Sequence, residues 1–242
     1  MFLRRALRIK SRAIDFFGYR SRVVSRILLG IGPKSSYGLG GLDQLLVGYI
    51  SKKRGFFIEL GANDGVAQSN TLIFELVFGW SGVLVEPVSD SFRKLKKNRN
   101  SRRNYLANVA CVSFSFEGEH VSLALSNLMS SPLIPSSDIG DVRAHVLGKG
   151  VGGPLPTELV EARTLTAVLE EAKAPHEIDL LSLDVEGGEM EVLEGIDFLS
   201  YRIDWILVES RSPRVVSNLL ATHGYELVKK LTQQDFLFRL DR

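Results

Sequence analysis

The sequence predicts an α/β protein built on one mostly parallel sheet. Three observations support this prediction. Apolar strand-like runs alternate with helix-like segments from residue 56 onward, acids stand at the ends of several of these runs, and the chain closes on a hairpin-like pair. Strands that alternate with helices are typical of a parallel sheet covered on both faces. The closing pair is expected to add an antiparallel edge to that sheet.

The predicted elements follow one another with short connections. Strands are expected at "GFFIEL", "GVLVEP", "NYLANVACVSF", "IDLLSLD" and "DWILVES", and helices at "NTLIFELVFG", "SDSFRKLKKNR", "TLTAVLEEA", "EMEVLEGIDFL" and "PRVVSNLLATHG". The runs "YELVKKL" and "FLFRL", joined by "TQQD", form the closing hairpin. Residues 113–163 are rich in Ser, Gly and Pro and contain only short β-like pieces, so they receive no assignment. The pattern predicts a single α/β domain without internal repeats.

The N-terminal part differs from the rest in charge. Residues 1–54 hold 12 Lys/Arg and 2 Asp/Glu, whereas the remaining residues hold 18 and 26. We therefore divide the chain into a basic helical arm with its linker at 1–54 and a folded domain at 55–242. Residues 1–31 place apolar residues near helical spacing between arginines. This pattern suits an amphipathic helix on an anionic membrane, an organelle transit peptide or a basic helix packed on the body.

Composition excludes several classes of protein. The apolar content of 45% and the charged content of 24% are ordinary for a globular protein with a packed core. The longest N-terminal apolar stretch, "ILLGIG", falls far short of the roughly 20 residues that cross a bilayer, and no signal-peptide core is intact. The single cysteine, Cys111, allows no disulfide within the chain, which agrees with a cytoplasmic location. Together with four histidines it offers no zinc-ligand spacing, so no metal is expected.

An acid, a glycine-framed loop and a second acid form the most informative motif. Glu59 ends the first predicted strand, Gly61 and Gly65 frame the loop that follows, and Glu86 ends the second strand. Ligands of α/β sheets bind at the carboxyl ends of the strands, where a carboxylate such as Glu86 can accept hydrogen bonds from two ribose hydroxyls. The ligand is therefore expected to contain a nucleoside.

The spacing of the loop distinguishes between nucleoside ligands. A dinucleotide site usually shows G-x-G-x-x-G, and a phosphate-binding P-loop carries a lysine. The pattern here is E-x-G-x-x-x-G, with neither the middle glycine nor a lysine. A loop with acids and no basic residue suits a ligand that carries a cationic group and no phosphate. S-adenosylmethionine has an adenosine, a sulfonium and an ammonium group, and we predict it as the cofactor.

Further acids end later strands. Asp184 ends "LLSLD", Glu186 follows two residues on, and Glu209 ends "ILVES". Methyl transfer from a sulfonium requires in-line alignment, and a weakly nucleophilic hydroxyl benefits from a base. Asp184 and Glu186 are the candidate catalytic residues, which would hold the acceptor or take its proton. Alternatively, Asp184 contacts the cofactor or caps the next helix. A divalent metal bridging the two acids has suitable ligands but is not predicted.

Four stretches resemble the FkbM-type S-adenosylmethionine-dependent methyltransferases over roughly residues 55–210. They are "FIELGANDGVAQSNTLIFE", "GWSGVLVEP", "TLTAVL" and "IDLLSLDVEGGEMEVLEGI". The resemblance implies a Rossmann-like class I methyltransferase fold, whose mostly parallel seven-stranded sheet ends in an antiparallel hairpin. It also implies methylation of hydroxyls on sugars, polyketides and related natural products. The length and basic N-terminus are similar to those of rhizobial enzymes that 2-O-methylate fucose on lipochitooligosaccharide nodulation signals.

The resemblance also implies site residues, partners and location. The implied cofactor-binding residues are Glu59, Gly61, Ala62, Asn63, Asp64, Gly65, Ser69, Asn70, Thr71, Glu86 and Pro87, and the second acidic motif is Asp184, Glu186 and Gly187. The expected acceptor is a carbohydrate or glycolipid. The expected location is cytoplasmic, with peripheral contact to the inner membrane face through the arm. An acidic body without an aromatic-basic pattern argues against nucleic acid.

Four alternatives stay open at this point. The chain could be a non-catalytic protein that keeps the methyltransferase fold as a binding or scaffolding module, although the motif acids are intact. It could be an NAD-dependent sugar-modifying enzyme, which the missing G-x-G-x-x-G disfavours. It could be a methyltransferase on nucleic acid, using the basic arm, or on a different small natural product.

Overall fold

The computed structural model describes residues 36–50, 52–99, 102–125, 131–133 and 156–241. The helix predicted within residues 1–31 lies outside these ranges. Among the described residues the strands are β1 (Phe56–Leu60), β2 (Ser81–Val85), β3 (Asn104–Ala107), β4 (Ala110–Cys111), β5 (His120–Ala124), β6 (Ser131–Leu133), β7 (Thr157–Arg163), β8 (Glu177–Leu183), β9 (Arg202–Glu209), β10 (Tyr225–Lys230) and β11 (Asp235–Leu240). The α-helices are α1 (Leu42–Tyr49), α2 (Ser89–Asn98), α3 (Leu165–Glu171), α4 (Glu189–Leu193) and α5 (Pro213–Thr222), with a π-helical turn at Phe74–Phe78.

Seven strands form the main sheet in the order β10-β11-β9-β8-β1-β2-β3. All neighbouring pairs from β9 to β3 are parallel, and β11 runs antiparallel to both β9 and β10. The predicted α/β class, the mostly parallel sheet and the C-terminal antiparallel pair are confirmed. None of the helices in the described part of the chain is long and apolar enough to cross a membrane.

The closing hairpin differs in one respect from the prediction of an antiparallel edge. The antiparallel strand β11 lies inside the sheet, and the edge strand β10 runs parallel to the others. The side chains explain this order. Residues Asp235–Phe238 of β11 are buried, whereas β10 buries only Tyr225 and exposes the charged remainder of "YELVKK". Charged side chains protect an edge strand from further pairing, so the more apolar run takes the inner position.

The single strand predicted at "NYLANVACVSF" is wrong, because the run divides into β3 and β4. Asn108 stands between them, and its Nδ2 donates to the carbonyl oxygens of Glu86 at 2.9 Å and Pro87 at 2.8 Å. After this break, β4 leaves the main sheet and pairs with β7 in a second sheet of order β4-β7-β5-β6. The unassigned segment 113–163 thus contributes a small sheet beside the carboxyl end of β2.

Apolar side chains cover both faces of the main sheet, as expected for parallel strands. One core contains side chains of α3, α4 and α5, and the other contains side chains of α1, α2 and the π-helical turn. Leu42 and Leu46 of α1 are buried in this second core. Residues 36–50, which lie before the predicted domain boundary at 54/55, therefore pack as part of the folded body.

Candidate active site

A cavity opens at the carboxyl ends of β1, β2 and β8, beside the small sheet. Its floor is the loop after β1, and Asp184 and Glu186 stand on its β8 side. The residues that line it are Leu60, Gly61, Ala62, Asn63, Ala67, Gln68, Ser69, Val85, Glu86, Pro87, Val88, Ser91, Val109, Ala110, Cys111, Leu123, Asp184, Val185, Glu186, Gly188 and Val192. The site therefore lies at the sheet edge where α/β proteins bind ligands.

Glu59 holds the segment that closes the loop and does not line the cavity. Its carboxylate is buried at 4% exposure. It accepts hydrogen bonds from the Ser69 hydroxyl at 2.9 Å, the Thr71 hydroxyl at 2.7 Å and the Asn70 backbone N–H at 3.0 Å. A buried carboxylate needs such partners, since an unsatisfied one carries a large desolvation cost. The acid in E-x-G-x-x-x-G is thus the centre of a hydrogen-bond network that shapes the loop.

Arg99 is a basic residue that contacts this loop, although it lies far from the loop in sequence. Its side chain is fully buried, and its Nε donates to Glu75 Oε2 at 2.7 Å. Its Nη1 lies 3.4 Å from Glu59 Oε2 and 3.1 Å from the Gly65 carbonyl oxygen. The guanidinium fork thus serves two buried carboxylates and the loop backbone together. Sequence alone did not identify Arg99 as part of the site, because Arg99 ends a run of bases that lie on the surface. The available signal was its position four residues after the buried Leu95, which places both on one side of a helix.

Gly61 and Gly65 are required by packing against protein atoms. Both have positive φ, at +76° and +79°. A Cβ at Gly61 would lie 1.8 Å from the carbonyl oxygen of Asp184, and one at Gly65 would lie 2.5 Å from Cγ of Arg99. Because Gly61 has no side chain, the ends of β1 and β8 can approach each other closely. Because Gly65 has none, the buried Arg99 side chain can pass under the loop.

Replacing Gly61 tests this close approach. We expect Gly61→Ala to lower the free energy of unfolding by about 2–4 kcal/mol, because strained backbone adds to steric overlap. The matched control is Gly40→Ala, which has φ +61° and meets no described atom within 4 Å. It should cost only about 1 kcal/mol. Chemical denaturation measures both, and equal losses in the two variants would contradict the packing role.

Glu86 stands at the end of β2 with both carboxylate oxygens engaged by backbone. Its Oε2 accepts from the Asn63 N–H at 2.7 Å and its Oε1 accepts from the Val88 N–H at 2.8 Å. Burial raises the pKa of Glu86 to about 7, although these two hydrogen bonds oppose the shift. Each carboxylate oxygen can accept a second hydrogen bond. Glu86 is therefore held in place and keeps capacity for two donors from a ligand.

Asp184 follows β8 and lies on the wall of the cavity. Its backbone N–H donates to the Leu60 carbonyl at 3.2 Å. Its Oδ1 is buried and has no hydrogen-bond partner among the described residues. Burial and then the negative charges of Glu209, Glu186, Glu189 and Asp235 raise the pKa of Asp184 well above its ordinary value. A buried acceptor without a partner at a cavity wall is a candidate ligand contact.

Glu186 lies nearer the surface and has a partner. It adopts positive φ, at +54°, and its Oε2 accepts from Arg211 Nη2 at 3.1 Å. The following acid, Glu189, accepts from the Gly187 N–H at 2.9 Å and closes the turn before α4. Asp184 and Glu186 therefore share one wall but differ in character, since only Asp184 carries a buried oxygen without a partner.

The predicted site residues separate into two groups by position. Those that line the cavity are Gly61, Ala62, Asn63, Ser69, Glu86, Pro87, Asp184 and Glu186. Those that stand behind it are Glu59, Asp64, Gly65, Asn70 and Thr71. Within the second group, Asp64 Oδ1 accepts from the N–H groups of Val66 and Ala67 at 2.9 and 2.8 Å. Asn70 Nδ2 donates to Ser182 Oγ of β8 at 3.2 Å. This second group shapes the loop.

The small sheet supplies an apolar wall that the sequence did not assign. Val109, Ala110, Cys111 and Leu123 face the cavity on the side of Glu86. Burial raises the pKa of the Cys111 thiol to about 12, so the thiol stays protonated and acts as an apolar surface. Among the described residues no group of three or more His, Cys, Asp or Glu side chains is arranged to hold a metal ion.

Comparison with known proteins identifies the family. The family model described as "Methyltransferase FkbM domain" matches residues 59–236, well over half of the chain. Sequence comparison with curated proteins gives no significant match. Solved structures with similarity include a methyltransferase from Pyrococcus furiosus, with 14% identity, a TM-score of 0.43 and coverage of 98% of this chain and 96% of that chain. Another is methyltransferase FkbM from Methylobacillus flagellatus KT, with 12% identity, a TM-score of 0.43 and coverage of 77% and 43%.

The family match begins at Glu59 and includes every residue that lines the cavity. The chain belongs to the methyltransferase FkbM domain family.

Proposed function

We propose that the protein is an S-adenosylmethionine-dependent O-methyltransferase that acts on a sugar hydroxyl of a glycan or glycolipid. The most specific form of the proposal is 2-O-methylation of fucose on a lipochitooligosaccharide. The observation that carries it is Asp184, a residue of the cavity wall whose Oδ1 is shielded from solvent and has no hydrogen-bond partner among the described residues. A reacting hydroxyl has one proton to donate, and this oxygen is an acceptor without a partner among the described residues.

The residues of the cavity fit S-adenosylmethionine. Glu86 keeps capacity for two hydroxyl donors, which suits a ribose. The apolar wall that contains Val109 and Leu123 suits an adenine ring. A sulfonium or ammonium group bound beside Asp184 and Glu186 would favour the ionised form of Asp184, whose pKa is raised in the protein without ligand. When bound, S-adenosylmethionine supplies an electrophilic methyl group and leaves as a neutral thioether.

Asp184 is proposed to take the proton of the acceptor hydroxyl. A hydroxyl oxygen that gains a methyl group must lose its proton, and a base within hydrogen-bond reach assists that loss. The raised pKa of Asp184 makes its carboxylate a stronger base than an exposed aspartate. The burial that contributes most to the raised pKa also limits access of water, which would otherwise compete for the proton.

The raised pKa of Glu86 predicts how cofactor affinity depends on pH. Only the ionised carboxylate accepts from both ribose hydroxyls, and the pKa of Glu86 is about 7. The affinity for S-adenosylhomocysteine should therefore rise about tenfold between about pH 6 and about pH 8. The Glu86→Gln variant should bind weakly at both values without that rise. Calorimetric titration measures this, and an unchanged pH profile in the variant would reject the ribose assignment.

The raised pKa of Glu86 also predicts how folding stability depends on pH. The folded state holds the Glu86 proton more tightly than the unfolded state, in which the ordinary pKa is 4.5. Folding stability from this group is therefore fully present below about pH 4.5 and is lost as pH rises through about 7. In Glu86→Gln this component of the pH dependence should disappear.

An acceptor screen tests the proposed function. The protein is incubated with S-adenosylmethionine and a panel of fucosylated glycans, other glycans, amines and thiols. We expect release of S-adenosylhomocysteine only with hydroxyl-bearing glycans, and mass spectrometry should place the methyl group on a sugar oxygen. A matched acceptor lacking that hydroxyl serves as the control. Turnover with amines or thiols, and none with any glycan, would contradict the proposal.

A further inference from the structure

Glu158 of β7 accepts hydrogen bonds from the start of α2, at the edge of the cavity. Its Oε1 accepts from the backbone N–H of Ser89 at 3.2 Å and from the Ser89 hydroxyl. The first N–H groups of a helix have no partner within the helix, and an acid beside them is favourable. Val88, which stands at the N-cap of α2, has an apolar side chain and provides no cap hydrogen bond. The acid that supports this helix start therefore comes from the small sheet.

The same acid stands directly opposite a residue of the cavity wall. In the antiparallel pairing of β5 with β7, Glu158 pairs with Leu123, which lines the cavity. Side chains that lie opposite each other on neighbouring strands project from the same face of the sheet. β7 also pairs with β4, whose residues Ala110 and Cys111 belong to the same wall. β7 thus carries the apolar wall, and Glu158 joins it to the start of α2.

The α2 side of this contact belongs to the proposed ribose site. Val88 lines the cavity, and its N–H donates to Glu86 Oε1 at 2.8 Å. Glu86 and Glu158 therefore accept from the adjacent N–H groups of Val88 and Ser89, with one acid from each sheet. Burial contributes most to the raised pKa of Glu86, and the negative charge of Glu158 raises it further. Among the residues that the structure describes, Glu158 is the charged group that acts on Glu86 in this way.

Building on the proposed function, we propose that Glu158 is a positioning residue of the cofactor site, which holds the apolar wall against the start of α2 so that Leu123 packs on the adenosine of S-adenosylmethionine. The two hydrogen bonds from Ser89 tie the small sheet to the edge of the main sheet. A wall that is in place before the ligand arrives costs less affinity than one that must be ordered on binding. The contact also has an electrostatic consequence, because the charge of Glu158 favours the protonated form of Glu86.

Two substitutions of Glu158 separate the positioning effect from the effect of charge. Glu158→Ala removes both the acceptor and the charge. Its affinity for S-adenosylhomocysteine should fall about three- to tenfold at about pH 8, as expected if the wall is in place for only a fraction of the time. Glu158→Gln keeps an acceptor for Ser89 and removes only the charge. Its affinity at about pH 8 should stay within about twofold of wild type, and the rise of affinity that accompanies ionisation of Glu86 should move to lower pH.

Calorimetric titration of the full-length protein with S-adenosylhomocysteine across a pH series measures both effects. The matched controls are Glu161→Ala and Glu161→Gln. Glu161 lies on the same strand, and its side chain is 61% exposed. These variants should leave both the affinity and its pH dependence unchanged.

Two outcomes overturn this inference. One is an affinity of Glu158→Ala equal to that of Glu161→Ala, and the other is a pH profile of Glu158→Gln identical to that of wild type. If Glu158→Ala does not fold, the pH profile of Glu158→Gln decides. If the wild-type protein binds S-adenosylhomocysteine and the Glu158 variants do not differ from it, only the role of Glu158 fails. If the wild-type protein does not bind that ligand, the proposed function fails as well.

Discussion

Asp184→Asn is expected to reduce kcat by about 100- to 10,000-fold, because the amide accepts no proton from the hydroxyl. The stability of the variant, by contrast, should be unchanged or higher. The buried carboxylate lies among the negative charges of Glu209 and Glu186, and ionising it in the folded protein is unfavourable. A neutral amide of the same shape removes that repulsion. The variant should therefore unfold at the wild-type temperature or above it near neutral pH, and should retain affinity for S-adenosylhomocysteine.

The pH dependence of stability provides a second signature. Since the pKa of Asp184 is raised in the folded state, its contribution to stability is lost as pH rises through that pKa. The asparagine variant should lack this loss. Thermal unfolding across a pH series and steady-state kinetics with an acceptor from the screen measure the two effects. Full activity in the variant would remove Asp184 from the chemistry, and a fall in stability matching the fall in activity would assign it a structural role.

Arg99→Met is expected to lower the free energy of unfolding by about 3–5 kcal/mol, the cost of leaving buried charges without their partner. Glu75 and Glu59 would lose the guanidinium that contacts both, and the Gly65 carbonyl would lose its donor. The loop that these groups hold forms the cavity floor. Affinity for S-adenosylhomocysteine should therefore fall together with stability, which denaturant titration and calorimetry can follow.

The control for Arg99→Met is another arginine of the same helix region, one whose side chain lies in solvent. Arg93 of α2 pairs with Asp90 three residues earlier, and both side chains are exposed. An exposed pair of this kind contributes at most about 1 kcal/mol, so Arg93→Met should behave almost as wild type. If Arg99→Met is no more destabilised than Arg93→Met, the buried network does not organise the loop.

Periodicity and strand-end acids were enough to predict the α/β class, the parallel sheet and the rim where the cavity opens. These features follow from local pattern, since strands and helices have different hydrophobic periods. The position of β11 inside the sheet was not predictable from its hairpin partner. It depends on which of two adjacent runs is buried, and thus on competition between "FLFRL" and "YELVKK" for the inner place.

The site was predictable where a residue's role is local and not where the role depends on distant partners. Glu86 and Asp184 were located because each ends a strand at the rim. Glu59 has the same sequence context, yet it faces the core that contains α2 and meets Arg99, which lies 40 residues away in sequence. Local pattern does not show such a pairing. For the same reason the wall from β4 and β5 was not assigned, because it forms by pairing with β7 across a long connection.

We propose that the cavity binds S-adenosylmethionine, and direct calorimetric titration tests this without any knowledge of the acceptor. The wild-type protein is titrated with S-adenosylmethionine, S-adenosylhomocysteine and NAD. We expect dissociation constants on the order of micromolar for the first two and no binding of NAD. The loop lacks the phosphate-binding glycine pattern, and acids line the cavity. Binding of NAD, or no heat with any of the three, would contradict the account.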